Sequence, residues 1–105
     1  MDYGKEYREK LGSSVRFIRA SGLVKKPFRV RLVKKDVIGS AILGDYRDGV
    51  IQIQRGIPCY VAIGVLLHEL AHHVSGHGHG PEWAEAYSKI YQFYIEGNPE
   101  QKVGL

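Results

Sequence analysis

All five histidines of this 105-residue chain fall within twelve positions, in "HELAHHVSGHGH" at 68–79. Core packing gives no reason for such a cluster, whereas a metal ion does, because neutral imidazole is the commonest protein ligand for one. His68 and His72 are four residues apart, so on a helix they project from one face, one turn from each other. Two imidazoles placed that way reach a single zinc ion at about 2.0–2.1 Å. Glu69 points to the side where a water on the metal would lie. There it can accept a proton from a water whose pKa zinc has lowered to about 7. The H-E-x-x-H spacing therefore points to metal-assisted hydrolysis, with His68 and His72 as ligands and Glu69 as general base.

A catalytic zinc needs three protein ligands and one open position. The candidates for the third are His73, His77, His79 and Glu82. His73 is rotated about 100° from His72 on a helix, which predicts a surface position or one that supports the ligands. His77 and His79 both follow Gly76, where the chain can fold back under the metal, and spacing alone leaves the two open. A purely structural zinc would not need Glu69 and usually favours cysteine. The chain has one cysteine, Cys59. Two and a half turns separate it from the metal face, and it reads as a small core residue.

The elements that must position these residues are legible in outline. "DYGKEYREKL" predicts a short first helix, with Tyr3, Tyr7 and Leu11 on one face. In "KPFRVRLVKK", Phe28, Val30 and Leu32 alternate with Arg29, Arg31 and Val33, a half-buried strand pattern. "DVIGSAILGDYRDGVIQIQRG" predicts two more strands with a turn at 46–49, where Asp48-Gly49 is a strong hairpin signal. Val50, Gln52 and Gln54 alternate with Ile51 and Ile53, which suits an edge strand onto which an extended substrate could add. From Pro58 an apolar run without internal proline predicts a buried helix to Val74 or Ser75, stopped by Gly76. Pro81 fits the first position of a last helix, with Glu82 and Glu85 in its first turn. The stripe Trp83, Tyr87, Ile90, Tyr91 and Tyr94 on that helix reads mainly as core. The fold class expected is α+β: a small, mainly antiparallel sheet of about three strands, with the histidine-bearing helix and a C-terminal helix packed on it.

Length predicts one domain over 1–105. The start, "MDYGKEYREK", lacks the apolar core of a signal peptide, and the run "YVAIGVLL" at 60–67 is too short to span a bilayer. No membrane partner is expected, and the lone cysteine fits a reducing cytoplasm. The net charge of +4 is uneven: residues 1–36 hold eleven Lys/Arg against four Asp/Glu, and residues 37–105 hold four against seven. That basic N-terminal third is either a surface for contact with DNA or a solvated face.

At "HGPEW" (79–83) the motif completes a resemblance. HExxH, a short loop and an HGPEW segment opening the next helix resemble the SprT-like zinc metalloproteases, the family that includes Spartan. The resemblance runs over about residues 37–95 and is most specific over 68–83. It implies a zincin-like metallopeptidase domain holding one Zn2+ through His68, His72 and His79, with Glu69 as the catalytic base and a protein or peptide as substrate. In well-known members it also implies action on DNA-associated proteins. The chain departs from the family in carrying Trp83 where Phe is commoner, in lacking zinc-ribbon cysteines, and in a shorter loop after His72 that leaves His77 as a rival ligand. The metzincin spacing would require histidine at position 78, which is Gly78. No single residue is marked as the oxyanion partner; His77, Tyr46 and the helix tyrosines qualify by type. Two other functions compete with peptide hydrolysis: a zinc-dependent nuclease-type hydrolase, which needs no glutamate, and a non-enzymatic nucleic-acid-binding module stapled by zinc.

Overall fold

The computed structural model describes residues 3–39, 41–76 and 78–97. In chain order the elements are α1 (Tyr3–Ser21), β1 (Arg29–Val33), α2 (Lys35–Ile38), β2 (Gly44–Arg47), β3 (Val50–Gln54), α3 (Cys59–Ser75) and α4 (Pro81–Gly97). The fold is α+β with one small sheet, as expected, but the sheet is mixed and not mainly antiparallel. Its order is β1-β3-β2, with β1 parallel and β2 antiparallel to β3.

That order overturns the edge-strand reading of residues 50–54, because β3 is the central strand. Ile51 and Ile53 are fully buried, and Gln54 is buried as well. The glutamine tolerates burial because its Nε2 donates to the carbonyls of Gly39 and Ile42, at 3.3 and 3.0 Å. A hydrogen-bonded amide can be buried at little net cost, so the polar half of the alternation did not mark solvent. The edges are β1 and β2. On β1, Arg29 and Arg31 are exposed, and charges on an edge strand oppose unwanted strand pairing. The hairpin between β2 and β3 turns at Asp48 and Gly49, both with positive φ (50° and 80°), as two-residue hairpin turns demand.

Two other elements differ from expectation. The first helix runs ten residues past Leu11, through the poor helix formers Gly12, Ser13 and Ser14. Leu11, Ser14, Val15 and Ile18 are buried, a face with helical spacing, and its burial outweighs local propensity. Ser14 fits inside because its hydroxyl donates to the Lys10 carbonyl (3.0 Å) and pairs with the Tyr94 hydroxyl (2.9 Å). Leu11 is in the core as predicted; the side chains of Tyr3 and Tyr7 lie outside the described set. Residues 35–38, expected at the start of a strand, form the short helix α2.

Helix α3 is the centre of the molecule. Ala62, Leu66, Leu67, Leu70 and Ala71 are buried in one core with Ile18 of α1, Ile51 and Ile53 of β3, and Ile90 and Tyr94 of α4. The helix begins after Pro58 and stops at Gly76, whose φ of 104° suits glycine and whose N–H donates to the His72 carbonyl at 2.7 Å. Strand β2 comes very close to α3 at Gly44. A Cβ there would collide with Val65 Cγ1 and lie 3.2 Å from the Gln52 carbonyl oxygen. Valine is stiff in a helix and cannot easily yield.

Gly44→Ala is expected to lower stability by about 1–3 kcal/mol through overpacking, read as a drop in the thermal unfolding midpoint. Adding Val65→Ala should make the double variant more stable than the two single losses sum to, since both act on one contact. Strict additivity would refute the proposed collision.

Candidate metal centre

Helix α3 places His68, Glu69 and His72 along the side that faces β2 and α4, and the chain after Gly76 returns His79 to the same point. His68, His72 and His79 each offer a ligand nitrogen, and these atoms all lie within 4.8 Å of one another. The Nε2 of His79 is 2.9 Å from that of His72 and 3.3 Å from that of His68. Three ring nitrogens aimed at one point cannot all satisfy each other, because a neutral imidazole carries a single N–H. The cluster could hold a metal ion, to which each would present a lone pair.

The tautomer of His72 supports this. Its Nδ1–H donates to the Gly76 carbonyl at 2.8 Å, which leaves Nε2 as the lone-pair nitrogen. Hydrogen bonding of the distal ring nitrogen is how metal-binding histidines are commonly oriented. Gly76 thus ends the helix with its N–H and orients the His72 ring with its carbonyl. His68 has its pKa lowered, first by burial and then by the charges that His72 and His79 would carry beside it. That shift favours the neutral form, the one that could bind a metal ion.

Trp83 backs the whole cluster. Its ring centroid is 4.9 Å from His68, 5.7 Å from His72 and 4.9 Å from His79, and its Nε1–H donates to the His68 backbone carbonyl at 3.3 Å. Helix α4 is thereby tied to α3 where the ligands converge. The aromatic stripe divides by role: Ile90 and Tyr94 are core, Trp83 and Tyr87 are half-buried beside the histidines, and Tyr91 is exposed. The expectation of a mainly core stripe holds for Ile90 and Tyr94, and for Trp83 and Tyr87, which pack against the core while also bordering the histidines; Tyr91 is the exception. Spacing by three and four records which residues share a helix face, but not what lies opposite that face.

Glu69 is buried, with 7% of its surface exposed. Its carboxylate lies 3.9 Å from His68 Nε2, and among the described residues no group donates a hydrogen bond to it. Burial raises its pKa; the adjacent His72 pulls it down and Asp45 pushes it up. A carboxyl whose pKa is raised by burial, with no hydrogen-bond donor among the described residues, is suited to accepting a proton.

His73 is neither on the surface nor a ligand. It is 5% exposed, and its Nε2–H donates to the Lys26 carbonyl at 2.8 Å while Nδ1 accepts from the Tyr46 hydroxyl at 2.9 Å. It ties the segment before β1, and strand β2, to α3. This also engages Tyr46, which sequence had left as an oxyanion candidate. Tyr94 is committed to Ser14. Tyr87 borders the cleft beside His68 and Glu69. Cys59, half-buried at the start of α3, is not among the three convergent residues. His77, the rival third ligand, lies outside the described residues.

No helix among the described residues is long and apolar enough to cross a membrane. Comparison of the chain with family models, with curated proteins and with solved structures gives no match in any of the three.

The electrostatics of Glu69 predict a measurable trade. Its folded-state pKa is raised above the ordinary value of 4.5, so its contribution to stability is present below that value and is lost as pH rises through the folded pKa. In metal-free protein, Glu69→Gln should therefore raise the unfolding midpoint at pH 7–8, with the gain vanishing near pH 4.5. A lower midpoint for the variant at pH 8 would contradict a penalised buried carboxylate.

Proposed function

We propose that this chain is a minimal zincin-like metallopeptidase, with zinc held by His68, His72 and His79. The observation that carries this reading is the convergence of three Nε2 atoms beside a buried carboxylate to which no described residue donates a hydrogen bond. Zinc suits the donor set: three imidazoles without thiolate match catalytic zinc better than structural zinc. A tetrahedral zinc with nitrogens at about 2.0–2.1 Å requires them to be about 3.3–3.4 Å apart. Two of the three separations, 2.9 and 3.3 Å, lie close to that requirement, and all three ligand atoms fall within 4.8 Å of one another.

When bound, zinc would polarise the scissile carbonyl and bring the pKa of a water in its open position to about 7. The chain's residues do the rest. Glu69 takes the proton from the attacking water at a carboxylate oxygen and delivers it to the departing amine, so one group serves first as base and then as acid. Its raised pKa shortens the gap between those two roles. The neutral imidazoles hold the metal, and the Gly76 carbonyl keeps His72 in the tautomer that allows it. With β3 in the centre of the sheet, an extended substrate would add to the open edge of β2, not to residues 50–54. Gly44 at the start of β2 and Glu69 line one cleft, which puts that edge beside the base. Tyr87, at the same cleft, is the tyrosine in position to approach a developing oxyanion.

The similarity to SprT-like metalloproteases at "HELAH" and "HGPEW" supports the same assignment of roles. Glu69 also separates it from the two competing functions. A nuclease-type hydrolase with three histidines, or a module stapled by zinc, has no use for a buried carboxylate at that spot.

Elemental analysis should give close to one zinc per chain, strongly reduced in His72→Ala and in His79→Ala. Glu69→Gln should keep the zinc and lose roughly 10²–10⁴-fold in peptide cleavage, the usual worth of a general base. Full cleavage by a zinc-loaded Glu69→Gln protein would overturn the reading.

A further inference from the structure

Gly64 occupies the interior of α3, where glycine is a poorer helix residue than alanine. Neither backbone nor packing explains it. Its φ is not positive, and a Cβ built there would meet nothing within 4 Å. It stands one turn before His68, on the same helix face. The space it leaves belongs to a cleft of about 470 Å³ that also reaches His68 and Glu69. Leu43, Gly44, Val61, Val65 and Tyr87 complete the wall. Tyr87 is held in place by stacking on Trp83 (5.1 Å, 17°) and Tyr91 (5.9 Å, 26°). On its other side, Gly64 also borders a second groove with Tyr60 and Tyr91. The bare backbone at 64 therefore lies where two clefts meet.

We propose that the bare face at Gly64 is a subsite for a bulky apolar or aromatic side chain, and that it selects the substrate residue flanking the scissile bond. The second half of this rests on the metallopeptidase reading; the first does not. The volume lies within the range of pockets that hold small ligands, about 300–1,000 Å³. Its walls are aliphatic and aromatic apart from the end at His68 and Glu69. A Lys, Asp or Glu side chain lying against Val61, Val65 and Leu43 would be desolvated away from the cleft's polar end at His68 and Glu69, whereas a Phe or Leu side chain loses water at a gain. An aromatic occupant would also gain from the Tyr87 ring. Gly64 and Gly44 clear the same cleft from opposite walls: one keeps it open and the other lets β2 close against α3.

The test has two arms. In the first, N-acetyl-phenylalaninamide and N-acetyl-alaninamide are titrated into isotopically labelled wild type, Gly64→Ala and Gly64→Leu, and backbone amide shifts are followed. The phenylalanine probe should move the amides of residues 61–65 and 87 in wild type, with at least a tenfold smaller effect from the alanine probe. Gly64→Leu should abolish the response. Gly64→Ala should unfold at a higher temperature than wild type, because no packing demands the glycine. A lower midpoint for Gly64→Ala, or equal responses to both probes, overturns the subsite. In the second arm, zinc-loaded wild type and Gly64→Leu are given peptide mixtures randomised around the cleavage point. Wild type should favour Phe, Tyr, Leu or Met over Lys, Asp and Gly by at least tenfold next to the cut. In Gly64→Leu that preference should fall by at least tenfold. Cleavage without such a preference, or an unchanged preference in Gly64→Leu, overturns the selection role. Probe binding at residue 64 with no cleavage of any peptide upholds the apolar subsite and overturns the metallopeptidase reading instead.

Discussion

Helix α3 has to supply much of the core and also carry two of the three convergent histidines within seventeen residues, and the elements packed on it answer to that double demand. An α-helix separates the two tasks by angle. Leu66, Leu67, Leu70 and Ala71 are buried in the hydrophobic core, while His68, Glu69 and His72 turn toward β2 and α4. The separation is narrow, because neighbouring positions differ by only about 100°. His73 shows how narrow. One residue past His72, it faces away from the convergent histidines, and it tolerates burial because Tyr46 and Lys26 supply a donor and an acceptor for its two nitrogens.

The same demand sets the electrostatic character of the site. Three imidazoles and a carboxylate packed against apolar side chains disfavour their own charged forms: burial lowers the pKa of His68 and raises that of Glu69. Without an ion this cluster is only partly satisfied, since a single N–H on the His79 Nε2 can serve one neighbouring ring nitrogen and not both. An ion bound only by the folded chain offsets that shortfall and couples folding to occupancy. A domain of this size has a small core and little stability to spare. The Trp83 ring, spread over all three ligand rings and anchored to the His68 carbonyl, supplies apolar contact where the core itself cannot reach.

What was legible in the sequence is what local spacing decides. The i, i+4 pair His68/His72, the stop at Gly76, the start at Pro81 and the Asp48-Gly49 turn depend on a few consecutive residues, and all appear where the pattern puts them. What was not legible depends on partners distant in sequence. Gln54 looks solvent-facing until the carbonyls of Gly39 and Ile42 close over it, and that burial accompanies a central β3. Gly12-Ser13-Ser14 looks like a helix end until Tyr94, eighty positions on, meets Ser14. The candidate site divides the same way. His68, Glu69 and His72 could be named from spacing and His79 from the HGPEW resemblance, whereas the backing role of Trp83 required knowing how α4 crosses α3, and the hydrogen bond from His72 to the Gly76 carbonyl required knowing how the chain leaves α3.

Three glycines then show that the site shapes the fold as much as the fold shapes the site. Gly76 is needed for a backbone conformation, and Gly44 for a close approach of strand to helix. Gly64 is needed for neither, and it weakens the one helix on which all else rests. A substitution to alanine is open to it sterically and would strengthen the helix. A stronger residue fits where a weaker one stands, and neither backbone conformation nor packing accounts for the glycine. The empty volume beside His68 and Glu69 is the nearest physical candidate for what does. The cleft is thus a feature that the most important helix of the molecule is built around, at some loss to itself.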